Sequence, residues 1–255
     1  MKRIIPTVLS GMVSVVLIAR AAEDEANLPP PEETEYWTPV PAVVSTPAGG
    51  VPSDAIVLFD GKSLDAWEPV NPGSKGWVIE DGAMVVVPKQ GQIRTKQSFG
   101  DVQLHVEWRS PAGDTEKGQG RGNSGVFLMG RYEFQVLDSY ENPTYVNGQA
   151  GSIYKQHPPL VNATRPPGEW QTYDIVFIAP RFSQDGKLLS PARLTGFHNG
   201  VLVQYDTVLR GATTYRGQPK YTPHAPRLPI ELQDHSDLVA FRNIWVREIK
   251  LPARE

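Results

Sequence analysis

Alternation with a period of two runs through this chain from residue 54 to residue 252, and it commits that stretch to β structure. In "DVQLHVEWRS", Val102, Leu104, Val106 and Trp108 fall on one side, and Gln103, His105, Glu107 and Arg109 on the other. "RYEFQVLDS" separates Tyr132, Phe134 and Val136 from Arg131, Glu133, Gln135 and Leu137 in the same way. Successive side chains of a strand point to opposite faces, so such segments have one core face and one polar face. Turn dipeptides divide the alternating runs. Asp81-Gly82 and Asn199-Gly200 each sit between apolar stretches, a hairpin signal, and a further junction falls near Met129-Gly130-Arg131. Helical periodicity is missing from every window long enough to matter.

Many short strands with closely spaced turns indicate an all-β sandwich or barrel. The expected architecture is a jelly-roll sandwich of two curved antiparallel sheets, one of which presents a polar concave face. Residues 54–252 form this domain. Residues 22–53 read as a Pro-rich linker, because their prolines prevent regular pairing. Residues 1–21 have the layout of a cleaved signal peptide: Lys2 and Arg3, the apolar run 4–19, then the small-residue pattern Ala19-Arg20-Ala21.

The chain contains no cysteine. A lipoprotein anchor after the signal, a disulfide framework and thiolate metal sites are thereby excluded, and the signal-peptide layout makes a periplasmic or secreted location the expectation. Removal of residues 1–21 takes away Lys2, Arg3 and Arg20 and no acid, leaving 22 basic against 28 acidic residues and a net charge of −6. A surface of that sign does not suit nucleic acid or anionic membrane, and no membrane insertion is expected after cleavage.

Four segments concentrate polar groups: the His105 face, "RGNSG" at Arg121–Gly125, the Glu133–Asp138 stretch, and "LQDHSD" with Gln233 and His235. Each also has a plain structural explanation. The His105 face suits the solvated side of an antiparallel sheet, "RGNSG" suits a tight turn, and "HNG" at His198–Gly200 suits a hairpin turn with His198 merely flanking it. Taken together, long bidentate groups such as Glu, Gln, Arg and Asn, with nearby Tyr and Trp, suit vicinal sugar hydroxyls. A conventional glycosidase needs two carboxyl groups at a set separation. In phase with Glu133 the strand offers Gln135 and Leu137, and Asp138 is out of phase.

Six segments in order, "LFDGKSLDAWE", "LHVEWRSP", "GRGNSGVFLMGRYEFQVLDSY", "PPLVNATRPPGEWQTYDIVFIAPRF", "ARLTGFHNGVLVQ" and "LQDHSDLVAFRNIWVREI", resemble the bacterial 3-keto-disaccharide hydrolase family. Its members are also described as 3-keto-glucoside 1,2-lyase/2-hydroxyglucal hydratase domains. The resemblance implies a concanavalin A-like jelly roll and cleavage of 3-keto-glycosides by β-elimination, hydration, or both. It also implies a separate sugar 3-dehydrogenase that supplies the keto-sugar. The alternatives are a non-catalytic carbohydrate-binding module and a two-carboxylate glycoside hydrolase.

Elimination requires a base, a group polarising the enolate oxygen, and a proton for the leaving group. Within that scheme His105, Glu133 and His235 are the proton-transfer candidates. Arg109, Arg121, Asn123, Gln135, Asp138, Tyr154 and Gln233 are the substrate ligands. A divalent metal ion is the one cofactor considered, with Glu107, Glu133 and Asp138 as donors beside His105 and His235; no organic cofactor is expected.

Overall fold

The computed structural model describes residues 28–250; the expected signal peptide lies outside the described residues. The chain divides into two units, Met1–Val43 and Val44–Glu255. The described part of the first carries one turn of 3-10 helix, Pro31–Thr34, and its side chains are exposed.

The described residues of the second unit hold fifteen strands. The first five are β1 (Ile56–Phe59), β2 (Trp67–Pro69), β3 (Val78–Glu80), β4 (Ala83–Val85) and β5 (Ile93–Phe99). Next come β6 (Val102–Arg109), β7 (Ser124–Leu128), β8 (Tyr132–Val136), β9 (Gln171–Ile178) and β10 (Arg181–Phe182). The last five are β11 (Leu188–Ser190), β12 (Arg193–His198), β13 (Val201–Val208), β14 (Leu228–Leu232) and β15 (Ala240–Glu248). An eight-stranded sheet runs β13-β12-β9-β6-β15-β4-β3, with β1 added alongside β15. A five-stranded sheet runs β2-β5-β14-β7-β8, and β10 and β11 form a separate ribbon. The described pairings are antiparallel. This is the concanavalin A-like jelly-roll sandwich, with its apolar core between the two sheets.

Sequence alternation explains the layers. β6 is buried at every second position, and Val102, Leu104, Val106 and Trp108 are at most 1% exposed. The three turn dipeptides fall where expected. Asp81-Gly82, Met129-Gly130 and Asn199-Gly200 all have positive φ at both positions, the geometry that matches the twist of a two-residue hairpin. Met129 takes this conformation without glycine's freedom, and its buried side chain anchors the turn in the core.

The alternation did not reveal β5 and β14, two of the five strands in the smaller sheet. Their register shifts between Pro229 and Glu231, and Pro229 removes a ladder donor, so the simple period is broken there.

His198 corrects the turn-flanking reading. It is fully buried, tilted against the Trp108 ring and edge-on to Tyr173, with Nε2 3.2 Å from Gln171 Oε1. Burial, reinforced by Arg165, pushes its pKa down to about 3 from an ordinary 6.5. A base whose folded value is depressed contributes stability that is present above the unfolded value and is lost as pH falls through the folded one. Denaturation midpoints should therefore drop as pH falls from about 6.5 toward about 3, and His198→Gln should flatten that part of the profile. An unchanged slope in the variant would show that other groups govern acid unfolding.

Candidate active site

A hollow of about 290 Å³ opens on the face of the five-stranded sheet that is turned away from the core. Asn123, Phe127, Glu133, Gln135, Tyr154, Thr213, Tyr215, Gln233 and His235 line it. β8 forms its floor. Tyr132, Phe134 and Val136 enter the core, and Glu133 and Gln135 take the opposite face. That face is covered rather than wet: all five residues of β8 are buried, with Glu133 4% and Gln135 1% exposed.

Chain segments rather than another strand cover the open edge of β8. Gln135 N donates to Ser152 O (3.0 Å), Gly151 N to Gln135 O (3.0 Å) and Tyr154 N to Glu133 O (3.3 Å). Glu133 N donates to Thr213 Oγ1 (3.0 Å). These bonds occupy backbone groups that an edge strand would otherwise expose, and they bring Tyr154 and Thr213 to the hollow. Tyr145 and Tyr154 share a hydroxyl–hydroxyl hydrogen bond of 2.7 Å. Lys155 Nζ lies 4.2 Å from the Tyr215 ring centroid and donates to Tyr215 O at 3.0 Å, joining the two covering segments.

The Glu133 carboxyl has no hydrogen bond or ion pair among the described residues, and burial pushes its pKa up to about 8. A buried acid with that value can hold or release a proton near neutrality. Space for it comes from Gly125, which faces Gln135 across the ladder. A Cβ at Gly125 would lie 2.6 Å from Glu133 Oε1 and 2.9 Å from Phe127 Cε2. Gly125→Ala should therefore displace the carboxyl, costing about 1–3 kcal/mol of stability and about tenfold or more in kcat/KM. Steady-state kinetics with a parallel melting curve check this. Wild-type activity in the variant would mean that the carboxyl's position is immaterial.

Next to Glu133 on this face lies a chain of amides. Gln135 Nε2 donates to Asn123 Oδ1 at 3.1 Å, and Asn123 Nδ2 donates to Gln119 O at 2.7 Å. Gln135 Oε1 is buried with no protein partner. A buried acceptor without a partner is costly, and in this hollow it suits a ligand hydroxyl.

The structure thus gathers six of the residues singled out from the sequence: Glu133, His235, Asn123, Gln135, Tyr154 and Gln233. Five others lie elsewhere. His105, Glu107 and Arg109 belong to β6 in the eight-stranded sheet, on its polar face. His105 Nδ1 sits 2.7 Å from Asp174 Oδ1, and its ring stacks on Trp245. Burial alone would raise the Glu107 carboxyl, but hydrogen bonds from Asn243 (2.8 Å) and Arg242 (2.6 Å) hold it below its ordinary value. Arg109 and Arg242 both lie over the Trp170 ring, at 4.7 and 4.0 Å. The solvated-face explanation describes this ladder.

Arg121 and Asp138 also lie outside the lining of the hollow. They pair with each other, Nε to Oδ2 at 2.9 Å, and Asp138 is fully buried and also accepts from Tyr140 N at 3.1 Å. The Asp138 carboxylate thus meets Arg121 and the Tyr140 amide and does not line the hollow.

Nor do the expected metal donors converge. Among the described residues no three His, Asp or Glu side chains form a group able to hold a metal ion. Glu107 and His105 are on one sheet, Glu133 is on the other, and Asp138 is paired with Arg121. The hollow supplies one carboxyl, one imidazole and several amides. That set does not fit a resident divalent cation.

Phe127, Thr213 and Tyr215 line the hollow without having been singled out. Phe127 could have been found from the alternation, since it shares a face with Gly125; Thr213 and Tyr215 carry no such signal because a loop brings them in. A roomier hollow of about 640 Å³ involves the eight-stranded sheet. Valines and Leu238 dominate its wall, and its carboxylates, Glu80 and Asp81, are exposed. It has nothing comparable to the isolated acid at Glu133.

Comparison with known proteins agrees with this architecture. A 3-keto-disaccharide hydrolase from Bacteroides thetaiotaomicron is 24% identical over 251 residues, covering 77% of this chain and 80% of the relative. The crystal structure of a candidate glycosyl hydrolase from Parabacteroides distasonis superimposes with a TM-score of 0.81 at 50% identity, covering 86% of this chain and 97% of the other. A second structure so described from the same organism gives 0.56 at 20% identity, covering 77% and 94%, a likeness of fold. Residues 54–247 match the profile of the 3-keto-alpha-glucoside-1,2-lyase-like domain. On that match, which takes in most of the sandwich and its hollow, the chain belongs to the 3-keto-alpha-glucoside-1,2-lyase-like domain family.

Proposed function

We propose that this protein cleaves 3-keto-glycosides, with Glu133 as the base that removes the C2 proton. The carrying observation is a buried carboxyl without a partner, in a hollow otherwise lined by amides, an imidazole and phenols. The family and the name of the Bacteroides relative support the substrate class.

A ketone at C3 makes the C2 proton acidic, which an unoxidised glycoside lacks. Glu133 takes that proton, the electron pair forms the enolate, and collapse of the enolate breaks the C1–O bond. The leaving oxygen takes a proton from His235, which is exposed and can exchange with solvent. Water then adds across the resulting double bond, its oxygen at C1 and a proton at C2, giving net hydrolysis. The unpartnered Gln135 Oε1 accepts from a substrate hydroxyl, and amide donors from Asn123 and Gln233 hold the enolate oxygen. The 3-keto substrate comes from a separate sugar 3-dehydrogenase.

The signal-peptide layout of residues 1–21 supports export to the periplasm or medium. Among the described residues no helix is long and apolar enough to cross a membrane.

The test incubates the purified protein with a 3-keto-glucoside and with its unoxidised parent, each with and without a chelator. Cleavage confined to the keto-sugar and indifferent to chelator is expected. Binding of both without turnover would replace this reading with a carbohydrate-binding module. Turnover of the parent would replace it with a two-carboxylate hydrolase.

A further inference from the structure

Directly opposite residues of antiparallel strands share a face, and one such row crosses all five strands of the smaller sheet. Glu68 on β2 pairs with Arg94 on β5, and Arg94 with Glu231 on β14. Glu231 pairs with Phe127 on β7, and Phe127 with Glu133 on β8. The row therefore runs along one face from the isolated acid to the far edge of the sheet. Phe127 both lines the hollow and borders Glu231.

The far end is polar and only partly engaged. Arg94 Nε donates to Glu68 Oε1 at 2.8 Å, and both side chains are 40% exposed. Glu231 has no hydrogen bond to its carboxyl among the described residues. Burial raises its pKa, with Arg94 and Arg131 acting against that rise. Its carboxyl lies over Gly130, where a Cβ would come within 2.6 Å of Oε1. The turn that joins β7 to β8 thus leaves room for the acid to lie along the sheet.

We propose that this row is the leaving-group side of the site: a neutral, polyhydroxylated second ring rests on Phe127 and is held through its hydroxyls by Glu231 and Arg94. The proposal rests on the keto-glycoside reading and adds which residues select the aglycone. Adjacent strands lie about 4.8 Å apart, so Glu133 and Glu231 are separated by two spacings, about 10 Å. A disaccharide spans that distance and a single ring with a methyl aglycone does not. Phe127 offers a flat apolar surface for the C–H face of a sugar. A carboxylate beside guanidinium groups supplies both acceptor and donors for vicinal hydroxyls. At this far end Glu68 and Glu231 are balanced in charge by Arg94 and the nearby Arg131, which suits a neutral ring better than a charged one.

The test measures kcat/KM for a 3-keto-disaccharide and for methyl 3-keto-glucoside in the wild type, Glu231→Gln and Arg94→Gln. Melting temperatures confirm that each variant is folded. The ratio of the two constants, disaccharide over methyl glycoside, should fall about tenfold or more in each variant, mainly through KM for the disaccharide. An unchanged ratio, whether both constants fall together or neither moves, overturns the subsite. Failure of the wild type to cleave either keto-sugar would instead remove the parent reading, and direct binding of the disaccharide to the wild type and Glu231→Gln would still test the row.

Discussion

Glu133→Gln should lower kcat on a 3-keto-glycoside by about 10²–10⁴-fold, the usual range for loss of a positioned general base. The substitution keeps shape and volume and removes only the titratable oxygen, so KM should change much less than kcat. The wild-type pH profile carries a second signature. Glu133 is protonated below its value of about 8, and a base works only when ionised. Thus kcat/KM should rise with pH and level off above about 8. A profile that falls through the same region would assign Glu133 the role of proton donor, and full turnover by Glu133→Gln would end any chemical role for it.

The same group links activity to stability with a definite sign. Its folded value, about 8, is above the ordinary 4.5. The stability it contributes is therefore fully present below about 4.5 and is lost as pH rises through about 8. That loss is on the order of a few kcal/mol, because a shift of one unit corresponds to about 1.4 kcal/mol. Glu133→Gln cannot ionise and should escape it. Urea denaturation at about pH 5 and about pH 9 should show the variant gaining on the wild type at the higher pH. Parallel pH profiles for the two proteins would show that the site accommodates the ionised form without penalty.

Phe134→Ala should cause the largest loss of stability, about 3–5 kcal/mol. Phe134 is fully buried on the core side of β8, directly between Glu133 and Gln135 in sequence. Its ring meets Tyr173 edge-on at 4.7 Å, and it lies so close to Gly196 that a Cβ there would sit 2.7 Å from Cζ. Tyr173 in turn donates its hydroxyl to Gln135 O at 2.6 Å. Removal of the ring leaves a cavity beneath the strand that carries the hollow's acid and its unpartnered amide oxygen. At about 2–4 °C per kcal/mol for a domain of this size, the melting temperature should fall by about 6–20 °C. A loss below about 1 kcal/mol would mean that neighbouring side chains collapse into the space and that β8 does not depend on this ring.

The readable parts of the fold were those where a local rule acts without interference. The β6 alternation and the Asp81-Gly82 and Asn199-Gly200 turns translate directly into a strand and two hairpins. β14 was hidden because Pro229 and the shifted register next to it spoil the period that marks a strand. At the site, Glu133, Gln135, Asn123, Gln233, His235 and Tyr154 could be selected by residue type, and they do meet. His105, Glu107 and Arg109 had the same chemistry and the same alternation but belong to the other sheet, where Asp174, Asn243, Arg242 and Trp170 engage them.

The sequence by itself determined the class of fold, the two faces of each regular strand and the turns between them, since these depend on neighbours one to four residues away. Only the tertiary structure decided which polar face becomes a hollow and which stays a solvated ladder. Alternation places Glu133 opposite Phe134 but is silent on what covers Glu133. The segments near Ser152–Tyr154 and Thr213–Tyr215 come from elsewhere in the chain, cap the open edge of β8 and exclude water from it. That burial turns an ordinary strand glutamate into an acid that titrates near pH 8, because the cost of a charge depends on its surroundings in space and not on its neighbours in sequence.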